Sequence, residues 1–373
     1  MRLVLIGDGQ SPHLLKWARA LAPKVELWAA SSRGFAPEFD ALLPPERRYA
    51  MNTDPAHGGG NIGLLTQLPG LARWLVQVDA DWLHAHYLTS HGTLAWVAKR
   101  GWRLRAQICG SAWGSDILVT PQRSWPYRWL TTQVLKACTL CTSDSLHMTA
   151  RMKDLGAAEV MTFPFGLEAM PKLGPSKLPW TFFANRGLEP IYRPERVIAA
   201  FAAIAAQQPT ARLVVANDGS LLPDLQRQVL ALGLTERVTF VGRLDARSQA
   251  GHYARARWYL SLPESDSVSV SVLEAMAHGC VPLLSDLPAN RELLGAVDAA
   301  DAVASDARGV IVDLAALDQL PTRLAALDAE AAGLANRDWV AQHGLFAPAV
   351  QRFLARLTEL AQPAELADLD VLR

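Results

Sequence analysis

Residues 258–286 constrain the fold more than any other stretch of the chain. A short apolar run ends at Pro263 and a polar loop follows. Next comes a helix-forming run, Val272-Leu273-Glu274-Ala275-Met276-Ala277-His278-Gly279, and then a second apolar run, Val281-Pro282-Leu283-Leu284. Strand, helix and strand in so short a space belong to a parallel α/β layer. Asp266 precedes the helix and Glu274 lies eight positions on, in its first turns, with serines and valines between them up to Leu273. The N–H groups that open a helix have no intrahelical partner, and the positive end of its dipole lies there. Ser269, Val270 and Ser271 therefore offer a seat for an anion such as a diphosphate. The two acids are then placed to accept hydrogen bonds from hydroxyls on either side of it. Ser265 or Asp266 acting only as a helix cap accounts for the same residues without a ligand.

An acid, seven residues and then Glu-Ala-Met-Ala-x-Gly-x-Pro resembles the pattern of the retaining nucleotide-sugar glycosyltransferases of family 4, which have the GT-B fold. Members usually carry Glu first and Phe-Gly where this chain has Val268-Ser269; Asp266 shortens the reach by one methylene. The resemblance is strongest over residues 181–295 and weaker before them. It implies an α/β protein with two Rossmann-like, doubly wound domains facing a central cleft. Residues 1–170 would form the acceptor-binding domain and residues 175–345 the nucleotide-sugar domain. A C-terminal helix within residues 346–373 would cross back to the first domain, and residues 365–373 read as a frayed end. The resemblance also implies that Asp266 binds hydroxyls of the donor sugar, that Glu274 binds the ribose, and that Arg186, after a strand at residues 182–184, holds the diphosphate. Members place a lysine five positions after that arginine. Ile191 stands there, and Arg193 is the cation that would replace it. Asn217-Asp218-Gly219 takes the place of a Gly-x-Gly turn beside the nucleotide. Gly242, in Phe240-Val241-Gly242-Arg243, takes the place of the turn whose backbone holds the base.

A chain of 373 residues is long for one core and suggests two domains. Its formal net charge is zero, which argues against a nucleic-acid binder. The charge is uneven, with 17 basic against 13 acidic residues through Met170 and 19 against 23 after it, so the first half is the one pointed at anionic partners. Four cysteines are too few for a disulfide framework. Cys138-x-x-Cys141, in an apolar run, reads as one turn of helix with two buried thiols, since a zinc site wants a second pair or matching histidines. No window is apolar enough for a transmembrane helix, and Met-Arg-Leu-Val-Leu-Ile-Gly-Asp-Gly reads as a first strand rather than a leader. A cytoplasmic protein is expected.

The first half opens strand, helix, strand, with Gly7-Asp8-Gly9 as a loop facing the cleft and His13 starting the helix. Residues 44–63 read as a moving loop with Gly58-Gly59-Gly60, suited to substrate entry. A strand then ends in His84-Ala85-His86-Tyr87. Strand ends carry the chemistry in parallel sheets, so His86 is a catalytic candidate, while His84 reads as internal. Ser90-His91-Gly92 open the next helix. In Trp113-Gly114-Ser115-Asp116 the tryptophan replaces the histidine that family members usually carry, and is suited to stacking on a sugar ring. Asp116 is either an orienting group in the cleft or a loop cap. Two basic-aromatic clusters, around Trp102 and around Trp125-Pro126-Tyr127-Arg128-Trp129, suit either an anionic membrane interface or a solvated surface.

The expected function is that of a retaining, metal-independent glycosyltransferase with no resident cofactor. A nucleoside-diphosphate sugar, UDP-linked in preference to GDP-mannose, would give its sugar to a hydroxyl of a glycan, a lipid-linked or a small-molecule acceptor, as in cell-envelope polysaccharide or glycoconjugate synthesis. Peripheral contact with the inner face of the cell membrane would accompany it. Another GT-B enzyme, such as a nucleotide-sugar epimerase or a phosphorylase, and a non-catalytic nucleotide-sugar-binding module remain as alternatives.

Overall fold

The computed structural model describes residues 1–54, 62–172, 174, 176–295 and 308–361. The chain divides into two compact units. One comprises Met1–Phe163 together with the C-terminal helix from Ala347, the other Pro164–Phe346.

In the first unit the strands are β1 (Arg2–Gly7), β2 (Glu26–Ser31), β3 (Arg48–Ala50), β4 (Trp82–His86), β5 (Gln107–Ser111), β6 (Leu140–Ser143) and β7 (Val160–Thr162). They form one parallel sheet in the order β3-β2-β1-β4-β5-β6-β7. Leu3, Val4, Leu5 and Ile6 of β1 are completely buried, as continuous apolar runs in parallel sheets are. The helix Phe346–Ala361 lies against this unit. Phe353 packs on Trp17 and His84, and Arg356 forks onto both oxygens of Glu159 at 2.7 and 2.8 Å.

The second unit holds β8 (Leu178–Ala184), β9 (Arg212–Ala216), β10 (Val238–Gly242), β11 (Ala256–Ser261), β12 (Val281–Ser285) and β13 (Val310–Val312). These strands are parallel in the order β10-β9-β8-β11-β12-β13. Both sheets reverse their strand order once, between β1 and β4 and between β8 and β11. Open α/β sheets bind ligands at the carboxyl ends of strands at such a reversal.

Several local expectations change. The division falls after Phe163 rather than at residue 170, because Leu167 pairs with Leu345 inside the second unit. Gly166 is needed there, since a Cβ would lie 1.7 Å from the Gly344 carbonyl oxygen. β8 begins at Leu178, four residues before the strand expected at residues 182–184. Residues 44–63 contain β3, which closes the edge of the sheet on β2, while Gly58-Gly59-Gly60 and residues 365–373 lie outside the described residues. Cys138 and Cys141 are buried but do not share a helical turn. The helix Trp125–Ala137 ends before Cys138, Thr139 N–H bonds to the Ile108 carbonyl, and Cys141 is in β6. The helical backbone after β4 starts at Tyr87, as a π-helical segment Tyr87–Gly92 that runs on into the helix Thr93–Trp102.

Candidate active site

The sheet reversal in the second unit places Arg186, just after β8, beside the loop that follows β11. The guanidinium lies over the Tyr192 ring, with Cζ 4.4 Å from its centroid. Nη2 donates to Asp266 Oδ2 at 2.6 Å, and Nη1 donates to Ser269 Oγ and, at 3.4 Å, to Ser271 Oγ. Nε is buried with no partner among the described residues. Arg186 and Asp266 are each 20% exposed at the side chain. Burial opposes the charge on Arg186, yet Asp266 and the surrounding phenols hold its pKa above the ordinary arginine value. Burial pushes the Asp266 carboxyl up, with Arg186 pulling it down.

Ser269 is the N-cap of the helix Val270–Ala277, but its side chain makes no capping bond and turns to Arg186 instead. The first turn holds no acid. A guanidinium and the positive end of a helix thus meet at one point, with one carboxylate against them. That arrangement favours a second anion.

Glu274 lies one turn further along the same helix. Its Oε2 accepts from Gln249 Nε2 and faces the Tyr253 hydroxyl, both at 3.1 Å. Tyr253 also takes a hydrogen bond from Asn185 Nδ2 at 2.8 Å and faces the Ser271 carbonyl at 3.1 Å. Tyr259 donates to Asn185 Oδ1 at 2.7 Å and lies 3.0 Å from Ser271 Oγ. Burial raises both phenol pKa values, so both stay protonated. Sequence reasoning missed Asn185, Gln249, Tyr253 and Tyr259. Asn185 had a signal in its position beside Arg186 at a strand end; the other three have none, because helix and strand positions that converge from different elements carry no local pattern.

The remaining residues of this half separate. Asp218 follows β9, the neighbour of β8, and Gly242 ends β10, one strand further out. Asn217 adopts φ +84°, a conformation asparagine tolerates better than most residues and one the usual glycine would supply. Gly219 is required, as a Cβ would come 2.4 Å from the Leu188 carbonyl oxygen. Asp218 turns back onto the Gly219 N–H at 2.8 Å. Gly242 has φ +68°, and its carbonyl accepts from Asn217 N–H at 2.7 Å. Arg193, expected as the second diphosphate cation, is not in the Arg186 cluster. It bonds to Glu195 and Glu264, and two carboxylates already neutralise it.

In the first unit, β4 and β5 end side by side. His86 is buried, and its Nδ1 accepts from Trp113 Nε1 at 3.2 Å. Burial drives its pKa well down, with His84, His91 and His13 adding to the effect, so it is a neutral imidazole. Asp116 is the loop cap of the two readings. One oxygen accepts from Trp113 N–H and the other from Leu88 N–H, both at 2.9 Å, which ties the loops after β4 and β5 together. Trp113 is half-buried between the rings of His13, 4.3 Å away, and Tyr87, 6.3 Å away. Tyr87 holds φ +64°, a strained conformation for a bulky residue.

Comparison with known proteins matches these two halves separately. The family model described as Glycosyl transferase 4-like matches residues 2–145, and the one described as Glycosyl transferases group 1 matches residues 168–313. The chain belongs to the group 1 glycosyltransferases. A curated relative, alpha-monoglucosyldiacylglycerol synthase of Streptococcus pneumoniae, is 32% identical over 85 residues, which are 23% of this chain and 19% of that protein's length. Among solved structures, sucrose-phosphate synthase from Thermosynechococcus elongatus is similar at TM-score 0.75 and 16% identity. Anabaena HepE in complex with UDP and glucose is similar at TM-score 0.74 and 14% identity. Each comparison covers 96% of this chain and 100% of the other. The fold of this group 1 glycosyltransferase is accordingly of the GT-B type, and no described helix is long and apolar enough to cross a membrane.

Proposed function

We propose that this chain is a retaining glycosyltransferase that moves a hexosyl group from a nucleoside-diphosphate sugar to a hydroxyl acceptor. The observation that carries the reading is Arg186, laid against the N-terminus of the helix Val270–Ala277 at the sheet reversal with one donor unpartnered. Cleavage of the anomeric bond leaves negative charge on the departing diphosphate, and a preorganised guanidinium and helix end stabilise it as it develops. This assigns the neutralising charge to the protein rather than to a metal ion. The acceptor hydroxyl attacks the face from which the diphosphate leaves, which retains the configuration. Glu274, held in place by Gln249 and Tyr253, takes the ribose hydroxyls. UDP is the favoured nucleotide, supported by the solved relative that binds UDP and glucose.

Isothermal titration with UDP tests the reading. Glu274→Gln keeps the shape but loses a charged acceptor, and is expected to weaken UDP by about 1.5–3 kcal/mol. Failure of wild-type protein to bind UDP, GDP or their sugar conjugates would refute the assignment.

A lipid-linked acceptor at an anionic membrane is favoured by one specific observation. Between Trp82 and Ser143 the chain carries seven lysines and arginines and a single acid, the buried Asp116. Within that stretch Trp125 is 74% exposed and Trp129 47%. The helices Thr93–Trp102 and Trp125–Ala137 pack together through Trp96 and Trp129, so the cations on these two helices lie near the exposed rings, while Arg105 is paired with Asp79. Cations near a lipid surface contribute about 1 kcal/mol each, and indoles settle at the headgroup level. Co-sedimentation with anionic vesicles is expected to weaken with salt and with Trp125→Ala. Equal, negligible pelleting with anionic and zwitterionic vesicles points instead to a soluble acceptor.

A further inference from the structure

The Arg186–Asp266 pair is built in a way that bears on substrate choice. Asp266 reaches the guanidinium through one oxygen only; Oδ1 accepts from Ser267 N–H in its own loop, at 3.0 Å. A guanidinium holds an anion best through a two-point fork, and this carboxylate does not offer one. Nη1 is shared between two serine hydroxyls, which are neutral acceptors, and Nε has no partner among the described residues. The cation lies over Tyr192 and is flanked by Ser269 and Ser271, so it has contacts besides Asp266. Asp266 sits in an irregular loop, between Pro263 and the first turn of the helix, where a backbone change breaks no helix or strand bond.

We infer that Asp266 and the diphosphate of a nucleotide sugar are alternative anions for Arg186, and that Asp266 thereby selects the intact donor over the spent nucleotide. The inference rests on the reading of this site as a nucleotide-sugar site. In the structure Asp266 neutralises Arg186. A diphosphate offers several charged oxygens and displaces it. The freed carboxylate keeps the Ser267 N–H on Oδ1 but loses the charged donor on Oδ2, which is costly in a site only one-fifth exposed. An intact donor removes that cost because its sugar presents hydroxyls to the carboxylate. A nucleoside diphosphate has no sugar there, so Asp266 competes to return to Arg186 and favours departure of the product.

With Asp266 touching only the sugar, Asp266→Asn would leave the affinity for free nucleoside diphosphate unchanged. With Asp266 on Arg186, the same substitution removes a competitor.

The test is calorimetric titration of inorganic diphosphate, UDP and UDP-glucose into wild-type protein, Asp266→Asn and Asp266→Glu, with UDP as product inhibitor of turnover in parallel. Asp266→Asn is expected to bind inorganic diphosphate and UDP at least about tenfold more tightly than wild type. UDP-glucose is expected to lose its advantage over UDP, and UDP to become a stronger inhibitor. Asp266→Glu, which keeps the charge, is expected to keep the discrimination. If Asp266→Asn does not fold, Asp266→Ser replaces it with the same expected gain. UDP and diphosphate binding that is unchanged or weaker in the uncharged variants overturns the exchange while leaving the nucleotide site intact. If neither wild type nor variant binds any of these ligands, GDP conjugates included, the nucleotide-sugar reading itself fails and the exchange falls with it.

Discussion

Arg186→Ala is expected to lower turnover by roughly two orders of magnitude or more. The reason is geometric as well as electrostatic. The side chain lies against the Tyr192 ring on one face and bonds to Ser269 and Ser271 at its edge, contacts that do not depend on Asp266. It therefore needs no reorganisation as charge develops on a leaving diphosphate, and that is where such donors contribute most. Loss should appear in kcat as well as in KM, because the interaction strengthens in the transition state. Arg186→Lys restores the charge but neither the fork nor the stack on Tyr192, and is expected to recover only part of the rate. Steady-state kinetics with circular dichroism as the folding control decide it. Near-normal kcat in the alanine variant would remove Arg186 from the mechanism.

The second large effect is on stability in acid. His84, His86 and His91 are buried together at the end of β4 and the segment after it. Burial lowers the pKa of His84 to about 3 and that of His91 to about 4, and depresses His86 as well. Nδ1 of His84 and Nε2 of His91 have no partner among the described residues, and a proton added to His86 would go to Nδ1, which already faces the Trp113 N–H, so the charged forms gain no acceptor. In the unfolded chain each histidine titrates near 6.5. Below that pH the unfolded state binds more protons than the folded one, so stability is full above about 6.5 and falls as pH drops toward the folded-state values. Each such group costs about 1.4 kcal/mol per pH unit. His84 and His91 together come to about 3 kcal/mol between pH 6.5 and 5, with His86 acting in the same direction, a large share of the stability of an ordinary domain. Urea unfolding of the full chain is expected to show a midpoint that collapses over this interval. A midpoint that holds steady from pH 7 to 5 would mean that these histidines are protonated and accommodated in the folded state.

The motif around residues 266–282 made Asp266, Ser269, Val270, Ser271 and Glu274 legible as a set, and the arginine at a strand end made Arg186 legible. The roles were harder to read. Arg193 looked like a spare cation although Glu195 stands two positions on, because its second acid, Glu264, lies 71 positions away. Asp116 looked like a candidate catalytic carboxylate until both its oxygens were seen on backbone N–H groups, one of them 28 positions off. The first unit was read less well than the second, since β3 is three residues with no apolar run and its presence depends on β2 already being in place.

By itself, the sequence determined the parallel α/β class. Strands buried on both faces must be continuous apolar runs, and the runs at Leu3-Val4-Leu5-Ile6 and Val281-Pro282-Leu283-Leu284 are written that way. It also determined that a helix start with unpaired N–H groups follows β11, because such groups are a local property of the chain. Only the tertiary structure decided which strands are neighbours. Setting β8 beside β11 brings Arg186 to Asp266, 80 positions away, and Asn185 to Tyr253, 68 positions away. Those pairings arise because side chains from separate elements can satisfy one another's buried charges and hydroxyls only where the sheet reverses its order, and a choice of strand order leaves no periodicity in the sequence.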